Sequence, residues 1–139
     1  DGTARIEVTV YRDTFERNLE KLVSDALVVV EGECSIDEFS GEHAVQANEI
    51  MTIDEARNRL ARALVLNVRD ASCANGFVRE LEGMITPHAP GRCPIAIEYA
   101  RAEARARLKL GEQWRVNLSE NLLEGLKRHF GAQHVHVEY

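Results

Sequence analysis

Strand-like patterns of apolar residues dominate the first part of the chain. Alternation of apolar and polar residues over 5–11 predicts a half-buried strand, and a continuous apolar run at 26–35 predicts a buried one. Gly32 inside that run indicates a bulge or bend. Residues 37–43 have the composition of a turn, and residues 44–51 form a further strand pattern. We therefore expect three strands here, the last two joined by a turn.

Two helices are predicted in the same part of the chain. A capping box, which marks the start of a helix, is predicted at two places where an acidic residue follows three positions after Asp or Thr. These pairs are Asp13 with Glu16 and Thr52 with Glu55. The second box leads into a helix over residues 55–63. Behind the first box one apolar stripe recurs at helical spacing: Phe15, Leu19, Leu22 and Val23. Strand, helix, strand, turn, strand is the order expected from the last three strands of an OB barrel, a five-stranded Greek-key barrel.

The second part of the chain predicts an alternation of strands and helices. Strands are expected at 63–68, at 95–99, at 105–110, around Trp114 and Val116, and at 134–139. One helix carries Phe77, Leu81, Met84 and Ile85 and ends before Pro87; the other is capped by Ser119, carries Leu122, Leu123, Leu126 and Phe130, and ends at Gly131. This order suggests a two-layer α/β sandwich.

The predicted fold class is thus α+β, with a partial OB barrel at 1–63 (the first two strands of the barrel absent) and a small sandwich at 64–139. The charge balance changes at the same boundary. Residues 1–63 hold 7 Lys and Arg against 14 Asp and Glu, a balance of −7, whereas residues 64–139 hold 10 against 9, a balance of +1. The first part is therefore a poor electrostatic match to a phosphate backbone.

The cysteines and the apolar runs exclude several classes of protein. Cys34, Cys73 and Cys93 are widely spaced and form no Cys-x-x-Cys pair, so a disulfide framework or a zinc ribbon is not indicated. We expect buried, reduced thiols in a cytoplasmic protein, with Cys93 in a packing role. No apolar run approaches the roughly 20 residues that span a bilayer, so no membrane partner is expected.

Catalytic motifs do not emerge from the sequence. It contains no phosphate-binding G-x-x-x-x-G-K, no G-x-S-x-G nucleophile elbow and no H-E-x-x-H helix. The carboxylates occupy capping boxes and solvated faces. We therefore expect no catalytic residue and no cofactor in this segment.

The ending HVHVEY allows two interpretations. His134, His136 and Glu138 share one strand face, which is a possible metal site, but zinc requires three or four ligands in tetrahedral geometry. Outward-facing polar residues on an edge strand are the favoured interpretation, with Val135, Val137 and Tyr139 buried on the other face.

A basic row is the strongest charged feature. Arg105, Arg107 and Lys109 alternate on one face of the predicted strand, with Arg101 nearby. Such a row could contact nucleic acid or an acidic partner. The alternative is a solvated face whose charges pair across strands with Glu98 and Glu103.

Two longer stretches resemble a known family. VVVEGECSIDEFSGEHAVQANEIMTIDEAR at 28–57 and ARARLKLGEQWRVNLSENLLEGL at 104–126 are similar to the C-terminal region of the bacterial replicative DNA polymerase III alpha subunit. The most specific parts are the D-E-F-S-G turn, the M-T-I-D-E-A-R helix start and the A-R-A-R-L-x-L-G-x-x-W-R-V segment. The resemblance covers essentially the whole chain, and none of these motifs is catalytic.

The resemblance implies a fold and partners. It implies an OB fold followed by a domain that binds the tau subunit of the clamp loader, with the polymerase carboxylates outside this segment. The sliding clamp is a further implied partner, because Gln133, Val135, Val137 and Tyr139 lie where the family carries a clamp-binding element. The resemblance associates the complete OB fold with single-stranded DNA, but the balance of −7 and the missing strands predict weak binding by residues 1–63. If this part bound DNA, the expected contacts would be Phe39 and His43, on the turn between strands.

The leading hypothesis is a non-catalytic module that docks the polymerase to its clamp loader. The predicted partner-binding residues are Gln133, His134, Val135, His136, Val137, Glu138, Tyr139, Arg105, Arg107 and Lys109. The alternative hypothesis is an OB module that binds single-stranded DNA.

Overall fold

The computed structural model describes residues 5–36, 41, 43–69, 76–101 and 103–139. The chain divides into two compact units, residues 1–55 and 56–139, each with its own β-sheet. Within the described ranges neither sheet closes into a barrel. The predicted α+β class is confirmed, and the open sheet of the first unit is consistent with part of an OB barrel.

The first unit is built around a central strand. Its strands are β1 (Glu7–Thr9), β2 (Val28–Ile36) and β3 (His43–Thr52), arranged in the order β1-β3-β2, with β1 parallel and β2 antiparallel to β3. Because β3 has a neighbour on both sides, it carries the buried residues Ala47, Ile50 and Met51. The predicted turn at 37–43 lies almost entirely outside the described residues.

Gly32 forms the predicted irregularity in β2. The pairing register with β3 shifts between Glu31 and Gly32. A Cβ atom at Gly32 would lie 2.1 Å from the backbone oxygen of Gln46, so the two strands approach too closely for any other residue. The prediction of a buried strand over 26–35 is wrong: residues 26 and 27 precede the strand and are exposed, residues 28–30 are half-buried, and residues 31–36 are exposed. Cys34 is accordingly exposed and not buried as expected.

The first helix is shorter than predicted. Helix α1 (Arg12–Arg17) begins after Tyr11 without a side-chain cap, so the predicted Asp13 capping box is wrong. The Asn18 side chain donates a hydrogen bond to the Thr14 carbonyl at 2.8 Å, and its backbone N–H bonds to Phe15 instead. Because Asn18 takes the carbonyl that would continue the helix, the predicted stripe is broken. Its later residues Leu19 and Val23 are exposed.

The second capping box is confirmed. Helix α2 (Ile53–Leu60) follows Thr52, whose Oγ1 accepts from the Glu55 N–H at 3.2 Å, while Glu55 Oε2 accepts from the Thr52 N–H at 2.8 Å. Lys21 Nζ lies 2.6 Å from the same carboxylate. The hydrogen bonds from Lys21 and Thr52 lower the pKa of Glu55. The two compact units divide within this helix; the assignment of 1–63 and 64–139 as functional domains stays a prediction.

The second unit is a four-stranded sheet covered by two helices. Its elements are β4 (Ala63–Arg69), α3 (Phe77–Ile85), β5 (Ile95–Ala100), β6 (Arg105–Lys109), α4 (Glu120–Phe130) and β7 (Val135–Glu138). The strand order is β6-β5-β4-β7, with β4 and β5 parallel and both outer strands antiparallel to their neighbours. Ser119 caps α4, since its Oγ accepts from the Leu122 N–H at 3.3 Å. These elements and both helix ends confirm the predictions.

Apolar side chains from the sheet and both helices form one core. Leu64, Leu66 and Ile95 of the sheet pack with Leu81 of α3 and Leu126 of α4, all nearly inaccessible to solvent. Alternation along β4 places Leu64 and Leu66 on one face, because successive side chains of a strand point to opposite sides. The other face carries Ala63 and Val65, followed by the polar residues Asn67 and Arg69.

The strand predicted around Trp114 and Val116 is wrong. Trp114 ends a 3-10 turn that begins at Glu112 and packs against the core, while Val116 forms a single bridge with Cys93. A Cβ atom at Gly91 would lie 1.9 Å from the Val116 carbonyl carbon, so the two segments meet in close backbone contact. Cys93 is 1% exposed, and burial raises the pKa of its thiol, in keeping with a packing role.

Candidate protein-docking face

The face of the second sheet opposite its helices carries the predicted basic row. Pairing registers place its side chains in rows that run across the strands. We call this surface the polar face. Its rows are Arg69, Ala100 and Arg105; then Asn67, Glu98 and Arg107; then His136, Val65, Ala96 and Lys109.

A bidentate ion pair joins the two outer strands across this face. Arg107 on β6 donates from Nη1 to Oε1 of Glu138 at 2.8 Å and from Nη2 to Oε2. Its Nη1 also lies 3.3 Å from Glu98, the predicted cross-strand partner. The hydrogen bonds from Arg107 lower the pKa of the Glu138 carboxyl, and those same bonds raise the pKa of the guanidinium.

Three apolar residues are buried together on this otherwise polar face. Ala63, Val65 and Ala96 point to it and are 6%, 0% and 3% exposed. They belong to β4 and β5, the strands that the Arg107–Glu138 pair spans. The pair ties β7 to β6 across these two strands.

An open groove lies at the end of the polar face where β4 and β5 finish. Its volume is about 550 Å³. Parallel strands commonly place ligands at their carboxyl ends, which is where this groove lies. Its lining comes from three strands and the turn before β7: Asn67, Val68, Arg69, Glu98, Tyr99, Ala100, Arg105, Ala106, Arg107, Gln133 and His134.

The structure thus brings together four of the predicted partner-binding residues. Arg105 and Arg107 come from β6, whereas Gln133 and His134 come from the 3-10 turn that precedes β7. Lys109 lies two positions further along β6 on the same face.

The C-terminal residues follow the predicted strand only in part. β7 pairs antiparallel with β4, which confirms the predicted edge strand. Val135 is 3% exposed and Val137 is half-buried, but Tyr139 is 57% exposed, so its predicted burial is wrong. Tyr139 follows the last paired residue, so no neighbouring strand lies beside it. His134 lies in the preceding turn and not in the strand.

The histidines do not assemble a metal site among the residues that the structure describes. No group of three or more His, Cys, Asp or Glu side chains is placed to hold an ion there. His136 is exposed, and its Nδ1 lies 3.3 Å from the Asn67 amide nitrogen. This contact pairs β7 with β4 on the polar face.

The predicted DNA contacts lie in the first unit. Phe39 falls outside the described residues, and His43 is exposed at the first position of β3.

In the described part of the chain, no helix has both the length and the apolar character needed to cross a membrane.

Two residues of the groove were missed by sequence reasoning. Asn67 and Arg69 alternate with Val68 at the end of the apolar strand segment ALVLNVR. In a buried parallel strand, polar residues at the carboxyl end are the signal that could have indicated a site, because the apolar run stops there.

Comparison with known proteins identifies relatives of this chain. Residues 80–131 match the sequence model of a family described as "DNA polymerase III subunit alpha, C-terminal domain". The whole chain is 36% identical to the DNA polymerase III subunit alpha of Escherichia coli (strain K12), 33% to that of Pasteurella multocida (strain Pm70), and 37% to that of Pseudomonas aeruginosa. Each alignment covers all 139 residues of the chain and 12% of the relative's length.

The family match runs from Glu80 inside α3 to Gly131 just after α4, and it includes the basic strand β6. The identity extends over the full chain and recurs in several bacteria. The resemblance seen in the sequence is confirmed: along its whole length this chain is a relative of the C-terminal region of bacterial DNA polymerase III alpha subunits.

Proposed function

We propose that the chain is a non-catalytic module of a replicative DNA polymerase III alpha subunit, and that it docks the polymerase to the tau subunit of the clamp loader. The relatives are named as alpha subunits of DNA polymerase III, and the chain corresponds to 12% of their length. We attribute the polymerase chemistry to the remainder of such a subunit. The module would act in the bacterial cytoplasm during DNA replication.

One observation carries this proposal. His136 and Glu138 of the C-terminal segment lie on the same face as the basic row, and Glu138 is joined to Arg107 by the bidentate ion pair, whereas Val135 and Val137 point to the core. Arg105, Gln133 and His134 line the same groove. A contiguous surface built from separate parts of the chain suits recognition of a folded partner, because contacts on several elements fix its orientation.

Engagement of the sliding clamp is less well supported. The implied clamp element includes Val135, which is buried and paired with Leu66. Insertion of this valine into another protein would require β7 to leave the sheet, at the cost of exposing core residues. We therefore favour tau over the sliding clamp as the partner that binds this face.

The test is direct binding of purified tau to the 139-residue chain. Gln133 and His136 are both exposed, so the Gln133→Ala/His136→Ala variant removes polar contacts without opening the core. We expect it to bind tau about tenfold more weakly, which is the loss expected if at least one of the two residues belongs to the minority of interface residues whose truncation costs more than about 1 kcal/mol. The control Glu124→Ala/Lys127→Ala alters two exposed residues of α4 and should leave affinity unchanged.

Two outcomes would contradict the proposal. One is an absence of tau binding by the unmodified chain, and the other is equal affinity of the two variants. Salt-dependent binding to a thymidine oligonucleotide, tighter than binding to tau, would instead support the single-strand-binding hypothesis, because counterion release gives a steep salt dependence.

A further inference from the structure

We infer that the groove at the carboxyl ends of β4 and β5 is a docking site for an acidic peptide segment of a protein partner. This inference rests on the proposed docking function and adds the chemistry of the contacting segment. It assigns the central role to Arg69 and Arg105.

The geometry of the first row provides the argument. Arg69 on β4 and Arg105 on β6 are both in register with Ala100 on β5, so the three side chains share one row and one face. Adjacent strands are about 4.8 Å apart, which places the two arginine backbones roughly 10 Å from each other. The small alanine between them leaves a gap that a carboxylate can enter from above.

These two arginines lack partners in the part of the chain that the structure describes. No described residue forms a hydrogen bond or ion pair with the side chain of Arg69 or of Arg105, and both residues are exposed. Arg107, in contrast, is engaged by Glu138 and Glu98. Arg107 therefore forms a fixed wall of the groove, and the other two guanidinium groups are available to a ligand.

Charge and hydrogen-bonding chemistry favour carboxylates. Among the described lining residues there are three guanidinium groups and one carboxylate, that of Glu98, which is already paired with Arg107. A guanidinium group binds a carboxylate through two parallel hydrogen bonds, which gives both strength and orientation. Gln133 and His134 add polar groups at the groove wall that can bond to a peptide backbone.

The same features disfavour a nucleic acid. Proteins that hold single strands combine a long basic track with several aromatic platforms, whereas the described lining residues include two aromatic rings, those of Tyr99 and His134. A volume near 550 Å³ suits a ligand the size of a short peptide segment.

The experiment measures binding of short fluorescent probes to the full 139-residue chain. The probes are a peptide of alternating glutamate and glycine, its counterpart with glutamine in place of glutamate, and a thymidine oligonucleotide with the charge of the first peptide. We expect the glutamate peptide to bind, and to bind about tenfold or more weakly to the Arg69→Gln/Arg105→Gln variant. The matched control Arg79→Gln/Arg128→Gln removes the same charge from exposed positions on α3 and α4 and should change affinity by less than roughly twofold.

Several results would overturn the inference. These are no binding of the glutamate peptide, equal loss in both double variants, equal binding of the glutamine peptide, or tighter binding of the oligonucleotide. Tau is assayed in parallel to separate the two proposals. If the unmodified chain fails to bind tau, the proposed function fails; if it binds tau and the groove variant binds it equally well, the groove inference alone fails. Equal urea midpoints of the variants would establish that each is folded.

Discussion

Arg107 and Glu138 form a bidentate ion pair between β6 and β7, the two outer strands of the second sheet. These residues are far apart in sequence and lie on strands that do not pair with each other. The contact spans the polar face from one outer strand of the sheet to the other, and it fixes the C-terminal strand relative to the basic row. A partner that binds this face would therefore meet a preorganised surface, which reduces the entropy lost on binding.

The ion pair should make the stability of the chain depend on pH in a defined direction. The pKa of Glu138 is lowered from its ordinary 4.5, so its stabilisation is fully present above that value and is lost as pH falls through the lowered pKa. Glu138→Gln should reduce the urea midpoint near neutral pH and make no difference in strong acid. The control is Glu82→Gln, an exposed carboxylate of α3. A deficit of Glu138→Gln that is equal at neutral and acid pH would show that the ion pair is not its cause.

The C-terminal strand should be anchored by Val135 and not by Tyr139. Val135 is 3% exposed and packs in the core, so Val135→Ala should lower the free energy of unfolding by about 1–3 kcal/mol. Tyr139 is 57% exposed, and Tyr139→Ala should change the free energy of unfolding by no more than about 0.5 kcal/mol. Urea unfolding monitored by circular dichroism checks both values. A larger effect of Tyr139→Ala would indicate that the Tyr139 ring packs against the rest of the protein.

Elements with local signals were predictable from the sequence. Helix α4 has a Ser119 cap, an apolar stripe and a terminal Gly131, and each of these acts through neighbouring backbone groups. The bulge at Gly32 was also visible, because a glycine inside a strand pattern commonly marks a bulge or the close approach of another backbone. Strand β7 was predictable as well, because its alternation of apolar and polar residues continues to its last paired residue.

Two of the failures depended on the packing of elements distant in sequence, and one depended on a local side-chain hydrogen bond. Burial of 26–35 could not be derived from its apolar run, because it depends on whether other elements cover the faces of β2, and residues 31–36 are exposed. The helix stripe after Asp13 was overridden by one side-chain hydrogen bond of Asn18. The groove required the register of three strands, so the row of Arg69, Ala100 and Arg105 was not visible along the chain.

The two capping boxes provide a matched pair of tests. Thr52→Ala removes an acceptor used by the Glu55 N–H and should cost about 0.5–2 kcal/mol of unfolding free energy. Asp13→Ala occupies the equivalent sequence position in a box that does not form, and should cost less than about 0.5 kcal/mol. Both are measured by urea unfolding of the full chain. Equal losses would show that Asp13 caps α1 in solution after all.

Two glycines should respond to alanine with opposite signs. At Gly32 the added Cβ would meet the Gln46 backbone oxygen at 2.1 Å, so β2 and β3 must separate at the bulge. We expect Gly32→Ala to lower the free energy of unfolding by about 1–3 kcal/mol, the usual range for overpacking.

Gly83 lies inside α3, and a Cβ atom there would have no atom within 4 Å. Gly83→Ala should raise the free energy of unfolding by about 0.5–1 kcal/mol, because alanine has the higher helix propensity. The free energies of unfolding of the two variants and of the unmodified chain are compared by urea unfolding, with shared baselines in the fits. If Gly32→Ala matched the unmodified chain while Gly83→Ala behaved as expected, the close approach of β2 and β3 at the bulge would be refuted.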